Sequence, residues 1–511
     1  MSTADPHQPP ERPNYLLLSD VHLGGDLVQH AAPWTAGRLG AELALDRKLS
    51  ALLAHYRRER DPERPWTLVI AGDLVDFVGM SVSARDPSRL STPLTEEEHS
   101  HGLGSAADHA AEKMRRVAER HPTVFRALAE FVADGHALLI VRGNHDVEFY
   151  WEPAQRAFID ALVDALVGLQ PELQRDAEAR AAFEQRIEFR HWFYYRDDLL
   201  YVEHGHQYDE ACAYTHVLAP RSPRDPRRLD YSFSDILLRF VVRPTRGLGC
   251  DGHETTSLFF YLRLAFSMGI GGCLSLGYRF FSAVFEMIRV WRDHLDERAR
   301  ALRAEHERRM ALVAERFSLQ LDKVRALSAL SAKPVTRRFS AILRAVFLDL
   351  IAVGLGAAVL LLVVAGFRLL PPLQLGLLAS LIAAGFVLWL KRPRAFDSTQ
   401  ALRAGAEAVA KVLPARFIVM GHTHVPVMES VAEESVYINL GAWAVDDLEE
   451  FEVAPAPCTY LVIRQQQAGP VAELRRWDAE QGPVLLQTTF APLESGVHLR
   501  PLDRPEDERA A

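Results

Sequence analysis

Five short apolar runs along the chain end in the same kinds of residue. Tyr15-Leu16-Leu17-Leu18 leads into Ser19-Asp20-Val21-His22, and Thr67-Leu68-Val69-Ile70-Ala71 leads into Gly72-Asp73-Leu74-Val75-Asp76. Ala137-Leu138-Leu139-Ile140-Val141 precedes Arg142-Gly143-Asn144-His145-Asp146. Leu199-Leu200-Tyr201-Val202 precedes Glu203-His204-Gly205-His206, and Phe417-Ile418-Val419-Met420 precedes Gly421-His422-Thr423-His424. Apolar runs of this length, stopped by Gly, Asp or Asn, read as buried strands. Polar side chains at the carboxyl ends of such strands lie where α/β sheets build their sites.

The stretches between these runs carry a helical period. Leu39, Leu43, Leu49, Leu52 and Leu53 mark a helix near Ala36–Arg60, and another is expected near Ala106–Ala133. A polar loop covers about Ser81–Ser105 between them. This β-α-β-α-β order implies neighbouring strands joined by helical crossovers. Glu152–Gln185 is helical, with Pro153 suited to a first turn. Arg186–Tyr195 and Asp198–Glu203 read as two adjacent strands, and Gln207–Tyr231 as a loop over the site. Near the end, a helix at Thr399–Leu413 precedes the Phe417 run. Strands are expected at Val427–Val431 and Val436–Leu440, with Cys458–Arg464 and Val471–Trp477 as a closing pair.

The middle of the chain departs from this pattern. Leu258–Trp291 is apolar and aromatic but holds Arg263 and Arg279, which fits either a pair of buried or amphipathic helices or a surface in a membrane interface. Arg292–Ala332 is charged, with an apolar stripe at Val313, Phe317, Leu321, Val324 and Leu327 that suits a solvated helix with one packed face. Residues 345–366 are then almost wholly apolar and long enough to span a bilayer, and 373–390 form a second, shorter run. Asp349 lies near an end of the first run and Trp389 at an interfacial position of the second. Lys333, Arg337, Arg338 and Arg344 precede the pair, and Lys391, Arg392 and Arg394 follow it. That flanking places both ends of the hairpin on the cytoplasmic side. The alternative is a helical hairpin buried in a soluble protein. The chain therefore divides into 14–257 and 395–480, two parts of one domain, around a helical insertion at 258–394. Residues 1–13 and 503–511 are polar or charged and expected to be disordered.

Composition narrows the function. A length of 511 residues allows one core with a large insertion, and a net charge of −9 offers no global basic field for nucleic acid. Cys212, Cys250, Cys273 and Cys458 form no Cys-x-x-Cys pair, against a disulfide framework or a thiolate zinc site. The first residues lack the apolar core of a signal peptide, so the chain start is expected to stay cytoplasmic.

The motif residues are Asp, His and Asn. Two adjacent divalent cations need a shared anionic ligand, and a carboxylate directly after a strand, such as Asp73, can bridge them. Neutral His and Asn ligands limit the negative charge and leave the ions strong Lewis acids. A set without thiolate suits Mn, Fe or Zn in an open catalytic site.

Asp20-x-His22, Gly72-Asp73-x-x-Asp76, Gly143-Asn144-His145-Asp146, His204-Gly205-His206 and Gly421-His422-Thr423-His424 occur in the order of the calcineurin-like metallophosphoesterases, which this chain resembles over about 14–206 and 415–445. The resemblance implies a four-layer α/β/β/α sandwich, here interrupted by a membrane-spanning helical insertion. It implies two divalent metal ions. Asp20, His22, Asp73 and His424 would hold one, and Asp73, Asn144, His204 and His422 the other. A hydroxide bridging the two would attack phosphorus, with His145 facing the leaving group and Asp146 orienting His145. Asp76 and His206 are placed behind the ligands. Arg142 is a candidate phosphate contact or a solvated arginine, and Asn439 and Trp443 are expected to pack under the site. His101, His109, His191 and His253 are not expected to be ligands.

The opening Leu18-Ser19-Asp20-Val21-His22-Leu23-Gly24 also resembles the UDP-diacylglucosamine pyrophosphatases. This chain differs from them in His145, where that group commonly has arginine, and in its hairpin. The expected function is a membrane-tethered, metal-dependent phosphoric ester hydrolase acting on a phosphorylated, lipid-linked candidate substrate. The alternatives are a soluble phosphodiesterase or protein phosphatase with an apolar lid, and a non-catalytic scaffold.

Overall fold

The computed structural model describes residues 13–28, 35–59, 64–170, 172–196, 198–245, 269–390, 397–444, 446–447, 453–454, 457–467, 469–490 and 498–501. The expectations for residues 1–12 and 503–511, for the start of the 258–291 segment, for His253 and for the basic group Lys391, Arg392 and Arg394 lie outside them.

The alternation of apolar side chains builds two sheets. The first is formed by β1 (Asn14–Leu18), β2 (Trp66–Ala71), β3 (Ala137–Val141) and β4 (Ile187–Arg190), all parallel. The second holds β5 (Phe193–Arg196), β6 (Leu200–Glu203), β7 (Phe417–Met420), β8 (Val427–Ala432) and β9 (Ser435–Asn439) in the order 5-6-7-9-8. A small pair, β10 (Asp446–Asp447) and β11 (Val453–Ala454), follows. The chain then returns to the first sheet. β12 (Thr459–Gln466) lies antiparallel to β1, followed outward by β13 (Gly469–Asp478), β14 (Gly482–Phe490) and β15 (His498–Pro501). The expected closing pair is thus β12 and β13, and the sheet continues past residue 480.

Helices cover both outer faces. On the first sheet lie α1 (Thr35–Arg58), α3 (Ala107–Arg120), α4 (Pro122–Ala133) and α5 (Glu152–Ala165). Short helices α2 (Glu96–His101), α6 (Glu172–Arg175), α7 (Ala177–Glu184) and α8 (Phe233–Leu237) fill connections. After α9 (Gly269–Asp293) come α10 (Arg298–Arg316) and α11 (Leu321–Ala329). These last two and α15 (Ser398–Val412) cover the second sheet. Period-2 alternation produces the layering. Leu16 and Leu18 pack toward α1, α3 and α4. Tyr15 and Leu17 meet Val202, Val419 and Ile438 between the sheets. The layers run helix, sheet, sheet, helix.

Several expectations need adjustment. The single helix expected at Ala106–Ala133 is two, because Pro122 has no N–H for a helix interior and instead opens α4. The Ser81–Ser105 loop contains α2, opened by a capping box in which Thr95 Oγ1 accepts from Glu98 N and the Glu98 carboxylate accepts from Thr95 N. The strand expected at Arg186–Tyr195 is split at His191-Trp192, where the chain crosses from one sheet to the other. Of the leucines whose spacing marked the first helix, Leu43 is 45% exposed, while Leu45, Leu49, Leu52 and Leu53 are buried.

Between β6 and β7 the insertion continues through α12 (Phe339–Ala345), α13 (Leu348–Gly366) and α14 (Pro372–Leu390). The last two are long and apolar enough to cross a membrane, and little of either is buried against the rest of the protein. Neither helix is packed into the interior among the described residues. Asp349 is satisfied within the hairpin, where its Oδ2 accepts from Trp389 Nε1 at 2.9 Å.

Leu17 is fully buried between the sheets. Leu17→Ala is expected to destabilise the domain by about 2–5 kcal/mol through the lost burial and the cavity left behind. Denaturant unfolding in detergent measures it, and a change too small to detect would mean that the two sheets do not share this core.

Candidate metal centre

The motifs leave the carboxyl ends of β1, β2, β3, β6 and β7, and register brings them to one edge. Asp20 N donates to Gly72 O, Val21 N and His22 N to Asp73 O, and Gly421 N to His204 O. The turns are tight. Asp20, His22, Asp73, His422 and His424 all have φ between 52° and 72°, an uncommon region for residues other than glycine. Such residues cost about 1–3 kcal/mol each and collect at functional sites. Glycines are needed where motifs touch. A Cβ on Gly143 would lie 2.1 Å from Asp73 Oδ1, and one on Gly421 would lie 1.9 Å from Ser19 Oγ and 2.4 Å from Asp20 Oδ2.

The side chains converge on two neighbouring points. Around Asp20 Oδ1 lie His424 Nε2 at 3.3 Å and His22 Nε2 and His204 Nε2 at 3.9 Å each. Around Asp73 Oδ2 lie His204 Nε2 at 3.1 Å and His22 Nε2 at 3.7 Å. His204 donates Nδ1–H to Ala71 O at 2.9 Å, which turns Nε2 toward Asp73, Asp20 and the Asn144 Oδ1 at 3.1 Å. A neutral imidazole lone pair facing three oxygens is unfavourable unless a proton or a metal ion lies between them. Asp20 Oδ1 and His22 Nε2 are buried and have no hydrogen-bond partner. The ligand atoms of Asp20, His22 and His424 lie within 4.8 Å of one another, as do those of Asp20, Asp73 and His204. Orphaned atoms of opposite character, with a set of imidazole and carboxylate donors, fit divalent cations.

His422 joins from the side. Its N–H donates to Asp20 Oδ2 at 3.1 Å, its ring is 5.3 Å from that of His204, and its Nε2 is 3.2 Å from Asp209 Oδ2. Asp209 is buried and no sequence pattern singled it out, because it sits within an irregular stretch. It holds the His422 ring in the way carboxylates hold imidazoles in metal sites.

The role expected of Asp146 is corrected. The carboxylate on His145 is Asp76, whose Oδ1 is 2.7 Å from Nδ1. Asp146 instead accepts from Gly143 N at 2.6 Å and Leu74 N at 2.9 Å, and so ties two site loops together. The Asp146 carboxyl follows its strand-end turn inward, where backbone donors meet it. Asp76 in turn accepts from Gly79 N at 2.8 Å and Arg243 Nη2 at 2.6 Å. Arg243 was not legible as a site residue.

Other expectations separate. His206 is buried behind His204, with ring centres 5.4 Å apart, and bonds Gln207. Asn439 donates to Gly421 O at 2.6 Å and accepts from Gly441 N at 3.0 Å, bracing the last motif from below. Trp443 is fully buried; its backbone N–H donates to Asp20 O at 2.9 Å and its indole Nε1 to Thr459 O at 2.7 Å. Arg142 is buried and donates Nη2 to Val217 O, so it is not a solvated strand-end arginine. His109 is held by Gly104 and Thr92, His101 lies against Phe240 and His191 near Tyr150, outside the cluster.

Burial would push the Asp73 carboxyl up, but the imidazoles of His204, His145 and His22 outweigh it and hold it far below the usual range. Asp20 is likewise lowered, with His204, His22 and His424 overcoming its burial. Burial would lower His204, but Asp73 and Asp20 push it up to about 9. His145 is raised to about 10 by Asp76 and Asp73 against its burial. The carboxylates thus demand positive charge from the imidazoles.

The arrangement is that of an α/β protein with a cluster of Asp and His side chains at one sheet edge that could hold a metal ion. Residues 13–235 match the family model described as calcineurin-like phosphoesterase, and the chain carries a domain of that family. No curated protein and no solved structure matches the chain. The matched range holds the first four motifs, and the fold adds the fifth from beyond the insertion.

A divalent ion bound at His204 must displace its proton. Mn2+ affinity is therefore expected to rise by about tenfold per pH unit up to pH about 9, and to level off above it. Calorimetric titration in buffers of differing ionisation enthalpy reads both affinity and proton release; a pH-independent affinity without proton release would contradict this. Gly421→Ala is expected to weaken Mn2+ binding at least about tenfold by displacing Asp20, with far-UV circular dichroism unchanged.

Proposed function

We propose that the chain is a metal-dependent phosphoester or pyrophosphate hydrolase, tethered by the 348–390 hairpin with its site on the cytoplasmic side. The convergence of Asp20, His22, Asp73, His204 and His424, with buried atoms that lack partners, carries this reading. Asp20, His22, Asp73 and His424 would hold one ion, and Asp73, Asn144, His204 and His422 the other, with Asp73 shared. Mn, Fe or Zn ions bound there would activate a water for attack on phosphorus and offset charge on the phosphate oxygens.

The residues around them divide the remaining work. His145 keeps its proton because Asp76 and Asp73 favour the charged ring, and Asp76 occupies Nδ1. Nε2 is then the nitrogen left to donate to the leaving oxygen. Arg243 fixes the Asp76 carboxylate and so the plane of the His145 ring. Asp209 and Ala71 O orient His422 and His204. The hairpin would keep the site near a membrane and raise the local concentration of a lipid-linked substrate.

His145→Ala is expected to lower kcat on an aryl phosphate by about 10²–10⁴ while Mn2+ uptake persists. Asp73→Asn should abolish both activity and uptake. A Mn2+-loaded wild-type protein inert toward aryl phosphomonoesters and diesters would overturn the catalytic reading. Release of the full chain by carbonate wash would overturn the tethering and favour a soluble enzyme with an apolar lid.

A further inference from the structure

One face of α9 carries Ile270, Leu274, Tyr278, Phe281 and Phe285, each between 63% and 84% exposed. Their spacings of four, four, three and four residues place them in a single stripe. The opposite side of the same helix is a packed surface. Leu276, Ala283, Met287 and Val290 are buried with Val241 and Ile342. The helix is therefore anchored on one side and presents large apolar and aromatic groups on another. A contiguous patch of this kind marks an interaction surface.

Its surroundings indicate what covers it. Ile342, Val346 and Leu348 belong to the cluster that holds α9 and lead directly into α13. Trp291 of α9 packs on Phe339 of α12 with ring centres 5.2 Å apart. The stripe thus belongs to the same packed unit as the root of the hairpin. Outside this insertion, large exposed apolar residues are scattered ones such as Leu43, Leu169 and Val425. Arg289, paired with Glu286, and the exposed Arg292 follow the stripe toward the end of α9, whereas Arg279 turns to the protein and donates to Thr245 Oγ1 at 3.0 Å.

We propose that the outer face of α9 lies in the headgroup–acyl boundary of the leaflet from which the hairpin departs. This rests on the tethered reading above and adds a second membrane contact to it. The consequence for the site is positional. α9 packs on the π-helical turn Leu238–Val242, and the next residue, Arg243, holds the Asp76 carboxylate that bonds His145. A helix seated on lipid would therefore set the cation cluster at a fixed place beside the headgroup layer. A substrate whose phosphate sits at headgroup level fits that placement better than one delivered from bulk solvent.

The test uses the full chain in phosphatidylcholine–phosphatidylglycerol vesicles containing doxyl-labelled phosphatidylcholine. An environment-sensitive fluorophore is placed singly on Tyr278→Cys, on Leu362→Cys in the hairpin, or on Arg300→Cys as a solvated control. Cys250 and Cys273 are replaced by serine in each. The label at 278 is expected to shift to the blue and to be quenched several-fold more than that at 300, as is the label at 362. Quenching at 362 without quenching at 278 would overturn this proposal and leave the tether standing. No quenching at either position would overturn both. A label at 278 that is shielded in proportion to protein concentration but indifferent to doxyl lipid would mean that a second copy covers the stripe, which also overturns it.

Discussion

A buried imidazole nitrogen that faces two carboxylates and an amide oxygen needs positive charge between them. That requirement at His204 Nε2 organises the rest of the site. Without a cation, Asp20 and Asp73 would repel each other in a buried setting, and their charge is met by protons on neighbouring imidazoles. The cluster is therefore poised for exchange of protons for metal ions. The scaffold supplies what that cluster cannot. Parallel strands bring five turns to one edge, glycines allow side chains of one turn to touch the backbone of the next, and five residues accept left-handed backbone conformations. Stable sheets with a dry core between them hold these unfavourable turns in place.

The insertion is joined to the site by a short chain of contacts. Between β6 and the insertion, the 207–245 segment contributes Asp209 to His422 and Arg243 to Asp76, and α9 packs on that segment from the insertion. Its helices α10 and α11 return to cover the second sheet. The 207–245 segment therefore links the insertion to the cluster, so that its position bears directly on His145 and His422. In the proposed reading, the hairpin and α9 fix the insertion to a bilayer.

Much of the fold and site was legible because the strands are short apolar runs that stop abruptly at Gly, Asp or His. Their residues come together at one edge since parallel register leaves few alternatives. The parts that were not legible depend on tertiary contact. Asp209 and Arg243 lie in irregular or π-helical backbone with no periodic pattern, and their partners are distant in sequence. The family resemblance assigned Asp146 to orienting the ring of His145. Backbone donors from Gly143 and Leu74 claim it instead, and Asp76 reaches the ring from another strand end. The break at Pro122 was readable from proline chemistry, whereas the split at His191-Trp192 was not. There the chain changes sheets without a strong turn signal.

Metal content per chain tests the central claim most directly. Wild-type protein purified with Mn2+ and freed of loosely bound ions is expected to hold two divalent ions by inductively coupled plasma mass spectrometry, on the two ligand sets that share Asp73. Asp73→Asn should lose both and His424→Ala chiefly one. Wild-type protein with no bound ion, or Asp73→Asn protein that keeps the full complement, would contradict the account.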